Sequence, residues 1–436
     1  VSQPASNVFA ERRRQLMERI GPRAVAVIGG ARLSVRNSDV EHRFRQTSDL
    51  WFLTGFTEPE SLAVIAPGRE HPLTLFVRPR DPERETWTGR RAGIEGARDK
   101  FAADAAFTID SVATELPKLL DGADEVLYVP GEDGEIDRLI TNALAQLRTG
   151  ERRGMRAPKR IVDLRHTLHE IRLIKDADAL AKMRRAAAVT REAHVAAMQA
   201  ARGGVHEYEI EALIDYTFRK AGGFAGYGTI VGGGVNATIL HYVDNDQPLK
   251  QGELLLVDAG CEIEGFTADV TRTYPIAGRF SPAQRRAYEL VLGVEKACIA
   301  AVAPGSDIEK IHALAVELLT RGMVELGLLQ GEVPALIESN AYRRFYMHRT
   351  SHWLGMDVHD VGIYAPEGKP RPLQPGMVLT VEPGLYVAAD ASDVPDELRG
   401  IGIRVEDDVL VTGGGHEVLT AAVPKEVDEI EALTNR

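Results

Sequence analysis

Two cysteines in 436 residues, Cys261 and Cys298, are too few for a disulfide framework and suit a reducing compartment. The chain has no basic surplus: 52 Lys and Arg face 64 Asp and Glu, a formal charge of −12, which argues against a nucleic-acid partner. No apolar run approaches the roughly 20 residues of a membrane-spanning helix. The opening segment VSQPASNVFAERRRQ holds no signal-peptide core, so the expected address is cytoplasmic, with no membrane partner. Internal repeats, low-complexity tracts and long linkers are missing as well. What remains is 44% apolar and 27% charged, a globular composition, in a chain long enough for two domains.

The first half alternates short β-branched runs (24–28, 62–66, 73–77, 126–129) with helical stretches (9–20, 136–147), which predicts a layered α/β domain. A basic, Gly-containing loop at 149–159 follows. A strong helical run from 176 to 201 then opens a new unit, so the domain boundary is expected near Ile174. Beyond it a helix at 206–221 leads through a Gly-rich segment to strands at 238–242, 253–260 and 265–274. Helices at 282–302 and 308–326 precede further strands at 378–382, 402–406 and 408–412. Helices inserted between groups of antiparallel strands predict an α+β second domain.

Carboxylates recur at the ends of apolar strands in that domain. LLLVDAG at 254–260 ends in Asp258, and GFTADVT at 265–271 carries Asp269. An acid so placed is costly unless something pairs with it. A tight hairpin around Ile263 and Glu264 would set the two acids opposite each other, with Cβ atoms roughly 4.5–5.5 Å apart. Carboxylates that close bind a proton or a cation; a solvent-facing pair flanking a turn is the alternative. In MHRTSHWLGMDVHDVG at 347–362, three of the twelve histidines (His348, His352, His359) fall together, in a form suited to metal binding or proton transfer. Glu382 ends VLTVE before Pro383 and Gly384, which stop the strand. Glu406, followed by Asp407 and Asp408, reads in isolation as an exposed charged turn. Four acids with one imidazole form a hard donor set that favours Mn2+, with Co2+, Fe2+ and Zn2+ as alternatives. Four negative charges call for two divalent ions, the arrangement of metallohydrolases.

The order Asp258, Asp269, His352, Glu382, Glu406 resembles the five-ligand set of the pita-bread metallopeptidases, which include methionine aminopeptidase, prolidase and aminopeptidase P. The neighbouring words ILHY (239–242), VDAGC (257–261), DVTRTY (269–274), TVEPGLY (380–386) and GIGIRVEDD (400–408) look like bacterial aminopeptidase P. FRQTSDLWFLTGF (44–56) and ETWTGRR (85–91) extend the likeness over the N-terminal half. The resemblance implies an α/β N-terminal domain over 1–174 and an α+β pita-bread catalytic domain over 175–436. It implies that Asp258 chelates one metal, that Asp269 and Glu406 bridge two, and that His352 and Glu382 complete the second. It further implies attack of a metal-bridging hydroxide on an Xaa-Pro bond, with Glu382 carrying the proton to the leaving nitrogen. His241 and His359 would steady substrate and tetrahedral intermediate, and His348, Tyr364 and Arg404 would line the proline pocket. A dimer or tetramer is implied too, with Trp87 near a neighbouring subunit's site.

Prolidase, an Xaa-Pro dipeptidase, is the near alternative; SHW at 351–353 and the N-terminal wording favour the aminopeptidase. A non-catalytic peptide-binding module would have lost ligands, and this chain retains all five. The segment GGFAGYGTIVGGG (222–234) lacks the Gly-Lys-Ser/Thr ending of a phosphate loop and reads as a close backbone approach near the substrate channel. Cys261 reads as a buried, inert thiol. The basic clusters 12–14 and 285–286 read as solvated helix faces.

Overall fold

The computed structural model describes residues 5–276 and 278–435. Two compact units divide the chain, Val1–Arg172 and Leu173–Arg436.

In the N-terminal unit the continuous apolar runs become the middle of a six-stranded mixed sheet. Its order is Ala105–Thr108, Leu73–Val77, Leu62–Ile65, Ala24–Gly29, Glu125–Tyr128, Arg160–Asp163. Ala24–Gly29 runs antiparallel to Leu62–Ile65 and parallel to Glu125–Tyr128. Val25, Val27, Val64 and Val126 pack with Leu116, Ile140 and Leu144 of the helices Val112–Leu120 and Gly134–Thr149, so both strands and helices bury their apolar sides in one core. The basic cluster at 12–14 departs from expectation. Arg12 and Arg13 are buried on the helix Ala5–Ile20; only Arg14 faces solvent. Arg12 lies over the Phe52 ring at 4.4 Å, and Arg13 Nη1 donates to the Leu53 carbonyl at 2.9 Å. The two guanidiniums serve carbonyls that the end of the helix Ser48–Thr54 leaves without intrahelical partners. Arg285 and Arg286 are exposed, as expected.

The C-terminal unit holds the long helices Ala177–Ala200, Glu207–Lys220, Pro282–Ala300 and Ile308–Glu325 around small antiparallel sheets. One sheet orders Ile230–Gly233, Leu254–Asp258, Thr271–Pro275; another orders Val378–Val381, Asp407–Thr412, Gly415–Val418; Gly384–Tyr386 pairs with Gly402–Arg404. Among the described residues no helix is long and apolar enough to cross a membrane.

Two expectations are corrected here. The strand expected at 238–242 is absent: Gly234–Thr238 is a short 3-10 turn and 239–242 is irregular, because side chains rather than a neighbouring strand satisfy this loop. The hairpin register also differs. Ile263 pairs with Phe266, so the turn is Glu264–Gly265, and Asp258 pairs with Thr271 rather than Asp269. Glu264 and Gly265 both have positive φ (49° and 84°), the two-residue turn whose twist matches the strands. Asp269 therefore sits two residues along from Asp258's partner, on the same face but diagonal to it.

Gly260 lies between the strands Leu254–Asp258 and Cys261–Ile263 of this hairpin. A Cβ there would come within 1.8 Å of the Ala268 carbonyl oxygen, a backbone atom that cannot swing aside. Gly260→Ala is expected to destabilise the C-terminal unit by about 1–3 kcal/mol, read as a lower urea midpoint at unchanged m-value.

Candidate metal centre

Breaks in the strands aim the acids. Asp258 ends Leu254–Asp258, Glu382 follows Val378–Val381, Asp269 lies between Phe266–Thr267 and Thr271–Pro275, and Glu406 lies between Gly402–Arg404 and Asp407–Thr412. Glu406, Asp407 and Asp408 are all buried, against the exposed turn expected of that triplet. Alternation along the strand sends Asp407 to the far side, where Arg272 Nη2 meets it at 2.7 Å. Asp408 returns toward the site and accepts the Asp269 N–H at 3.1 Å.

The five expected ligands converge on one cavity of about 690 Å3, drawn entirely from the C-terminal unit. His352 Nε2 stands 3.4 Å from Asp269 Oδ2 and 3.5 Å from Glu382 Oε1. Asp269, His352 and Glu406 each offer a ligand atom, all within 4.8 Å of one another. The other His352 nitrogen, Nδ1, lies 3.0 Å from the Trp353 carbonyl, so Nδ1 carries a proton and the ring is oriented with Nε2 toward the acids.

The electrostatics match a cation site. Burial pushes the Glu406 carboxyl well up, and the charges of Asp269, Glu382 and Asp258 add to it. Burial likewise raises Asp269, against the pull of His352. Glu382 is pushed up to about 7 by burial, with His352 and Arg404 opposing and Asp269 and Asp258 adding. His352 would be lowered by burial, but its hydrogen bond to Asp269 and the Glu382 charge carry it up to about 9. Acids this crowded hold protons unless divalent ions replace them.

Hydroxyls that sequence reasoning missed complete the shell. Tyr227 Oη lies 2.6 Å from both Asp258 Oδ1 and Asp269 Oδ1, so one phenolic proton serves two carboxylates. Thr271 Oγ1 donates to Glu406 Oε2 at 2.6 Å, and Thr380 Oγ1 reaches Glu382 Oε1 at 3.3 Å. Tyr386 Oη links His348 Nε2 (2.8 Å) to Arg404 Nη1 (3.0 Å). Tyrosines and threonines in strands carry no such signal in sequence, although Tyr227 sits in the Gly-rich segment already noted. That segment does run close: Gly226 and Gly223 leave no room for a Cβ against Thr267 and Cys261, and Gly228 lines the cavity. Cys261 is buried, its thiol pushed up to about 12 by burial.

The remaining expected residues fall as follows. His241, His348, His359, Tyr364 and Arg404 all line the cavity. The His359 ring meets the His352 ring edge-on at 4.5 Å. Burial drives His348 down to about 3, with Arg404 adding, so it is a neutral imidazole. Tyr364 stacks on Trp353 at 5.3 Å. Arg404 is buried, and its Nη2 donates to Asp258 Oδ2 at 2.6 Å and its Nε to Thr271 at 2.9 Å. Trp87 lies in the N-terminal unit on the helix Pro82–Thr88 and is 85% exposed.

Residues 181–413 match the model of metallopeptidase family M24, and residues 9–128 match the aminopeptidase P N-terminal domain. The chain belongs to metallopeptidase family M24. It is a metal-using hydrolase of that family, with an α/β aminopeptidase P-type N-terminal domain and a pita-bread catalytic domain. Among M24 relatives, the Xaa-Pro aminopeptidase of Escherichia coli K12 is 43% identical over 99% of this chain and 98% of its own length. The solved structure of Pseudomonas aeruginosa aminopeptidase PepP is 48% identical, with a TM-score of 0.97 over 99% of this chain and 98% of that one. Zinc-substituted E. coli aminopeptidase P in complex with product superposes with a TM-score of 0.96 at 43% identity, covering 99% of each chain.

Proposed function

We propose that this M24 enzyme releases the N-terminal residue from peptides with proline in second position. The convergence of Asp258, Asp269, His352, Glu382 and Glu406 on one cavity carries the reading, and the Xaa-Pro aminopeptidases among its relatives support it. The donor set fits two divalent ions: Asp258 would hold one, Asp269 and Glu406 both, His352 and Glu382 the other. Oxygen donors with a single imidazole favour Mn2+. Bound there, the ions would polarise the scissile carbonyl and acidify water.

The chain's own residues do the rest. Glu382, whose Oε2 stands 3.7 Å from His348 Nδ1, is suited to hand a proton to the leaving proline nitrogen. That nitrogen carries no hydrogen in the substrate, which defeats peptidases that bind the N–H. His241 and His359 face the same cavity and would donate to the developing oxyanion. The Tyr364 ring and the neutral His348 imidazole give the proline ring flat surfaces, and Arg404 stiffens the wall behind them through Asp258 and Tyr386.

We further propose a cytoplasmic homo-oligomer, dimer or tetramer, with Trp87 meeting a neighbouring subunit. Its 85% exposure on a helix with no buried residue favours that role. The buried free thiols favour a reducing compartment, and the net charge of −12 speaks against nucleic acid.

A matched pair of substrates tests the assignment. With Mn2+ restored to metal-free protein, an Xaa-Pro-Yaa tripeptide is expected to lose its first residue and the corresponding Xaa-Pro dipeptide to be cut more slowly, products being identified by mass spectrometry. Preference for the dipeptide would make the enzyme a prolidase.

A further inference from the structure

The loop that carries His241 runs from residue 234 to 246 without a strand partner. Asn245 anchors its far end to Thr229, Val231 and Glu211, and one buried carboxylate gathers the rest. Glu207 is the first residue of the helix Glu207–Lys220 and is 1% exposed. Its Oε1 accepts the Gly233 N–H at 2.7 Å and Asn236 Nδ2 at 3.0 Å, while its Oε2 accepts the Tyr242 hydroxyl at 2.8 Å and the Gln247 N–H at 3.0 Å. The Glu207 N–H in turn donates to the Gln247 carbonyl at 3.0 Å. An ionised carboxylate has about four acceptor positions, and donors from the entry, turn, middle and exit of the loop fill them. The helix N-terminus favours the negative charge there.

Tyr242 joins this clamp to the cavity. It belongs to one buried cluster with Ile230, Leu256 and Tyr386, and Tyr386 touches both His348 and Arg404. The preceding residue, His241, lines the cavity. We propose that Glu207 is a positioning residue: through Tyr242 it fixes where the His241 imidazole meets the substrate. The inference rests on the peptidase reading above and adds a determinant outside the cavity wall.

Glutamine at 207 keeps the shape but exchanges one acceptor oxygen for a donor that faces N–H groups. Steady-state kinetics on an Xaa-Pro-Yaa tripeptide, with bound metal measured, test the clamp in Glu207→Gln, Tyr242→Phe, His241→Ala and the doubles with His241→Ala. Glu207→Gln is expected to lower kcat/KM about tenfold or more at unchanged metal content, with Tyr242→Phe smaller in the same direction. Once His241 is gone, either change is expected to cost less than about twofold further, because residues acting as one unit are not additive. Full losses on top of His241→Ala, or wild-type kcat/KM in both single variants, would overturn the proposal. If Glu207→Gln does not fold, Tyr242→Phe and its double decide by the same criteria. Wild-type turnover of the tripeptide reads the peptidase assignment separately from these ratios.

Discussion

Glu382→Ala and His352→Ala are each expected to abolish measurable turnover of an Xaa-Pro-Yaa peptide, and Glu382→Gln to lower kcat by about 10³-fold. Glutamine preserves a ligand oxygen and the side-chain volume but removes the group that takes and returns a proton. Loss in Glu382→Gln should therefore fall on kcat, with bound metal largely retained. His352→Ala instead removes Nε2, the nitrogen that faces Asp269 and Glu382, so metal content should fall together with activity. Near-native kcat in either Glu382 variant, with metal bound, would sink its role as the proton carrier.

Arg272→Met is expected to give the largest loss of stability. Arg272 and Asp407 are fully buried and meet at 2.7 Å. The guanidinium also donates to the carbonyls of Thr271, Glu406, Val423 and Pro424, so it laces the segments bearing Asp269 and Glu406 to the end of the chain. Asp407 would keep Lys425 Nζ at 2.5 Å and the Thr420 hydroxyl at 2.7 Å, but four carbonyls would lose a donor. Breaking a buried pair from one side costs about 3–5 kcal/mol. Urea unfolding of the metal-free C-terminal transition measures it, and a shift below about 1 kcal/mol would show that the lacing contributes little. Because Arg272 holds the Glu406 carbonyl, metal affinity should weaken in the same variant.

The acids were legible in sequence because a carboxylate closing an apolar strand is physically conspicuous; Asp258 and Glu382 stand where that pattern puts them. Their mutual geometry was less so. A one-residue shift of the turn, from 263–264 to 264–265, moved the partner of Asp258 by two, from Asp269 to Thr271, and the positive φ values of Glu264 and Gly265 go with the observed register. Burial of charge was the harder matter. Arg12 and Arg13 resemble any solvated helix face until the helix Ser48–Thr54 presents its carbonyls, and Asp407 resembles a surface acid until Arg272 arrives from a strand 135 residues away. The hydroxyl shell of Tyr227, Thr271 and Tyr386, and the clamp of Glu207, depend wholly on tertiary contacts and leave no local pattern.

The most direct test adds Mn2+ stepwise to metal-free protein while bound metal and release of the first residue from an Xaa-Pro-Yaa tripeptide are followed together. Expected are no release without metal, release that rises as two ions per chain are taken up, and neither full uptake nor release in Glu406→Gln. Release by the metal-free chain, or full uptake with the Xaa-Pro bond left intact, would contradict it.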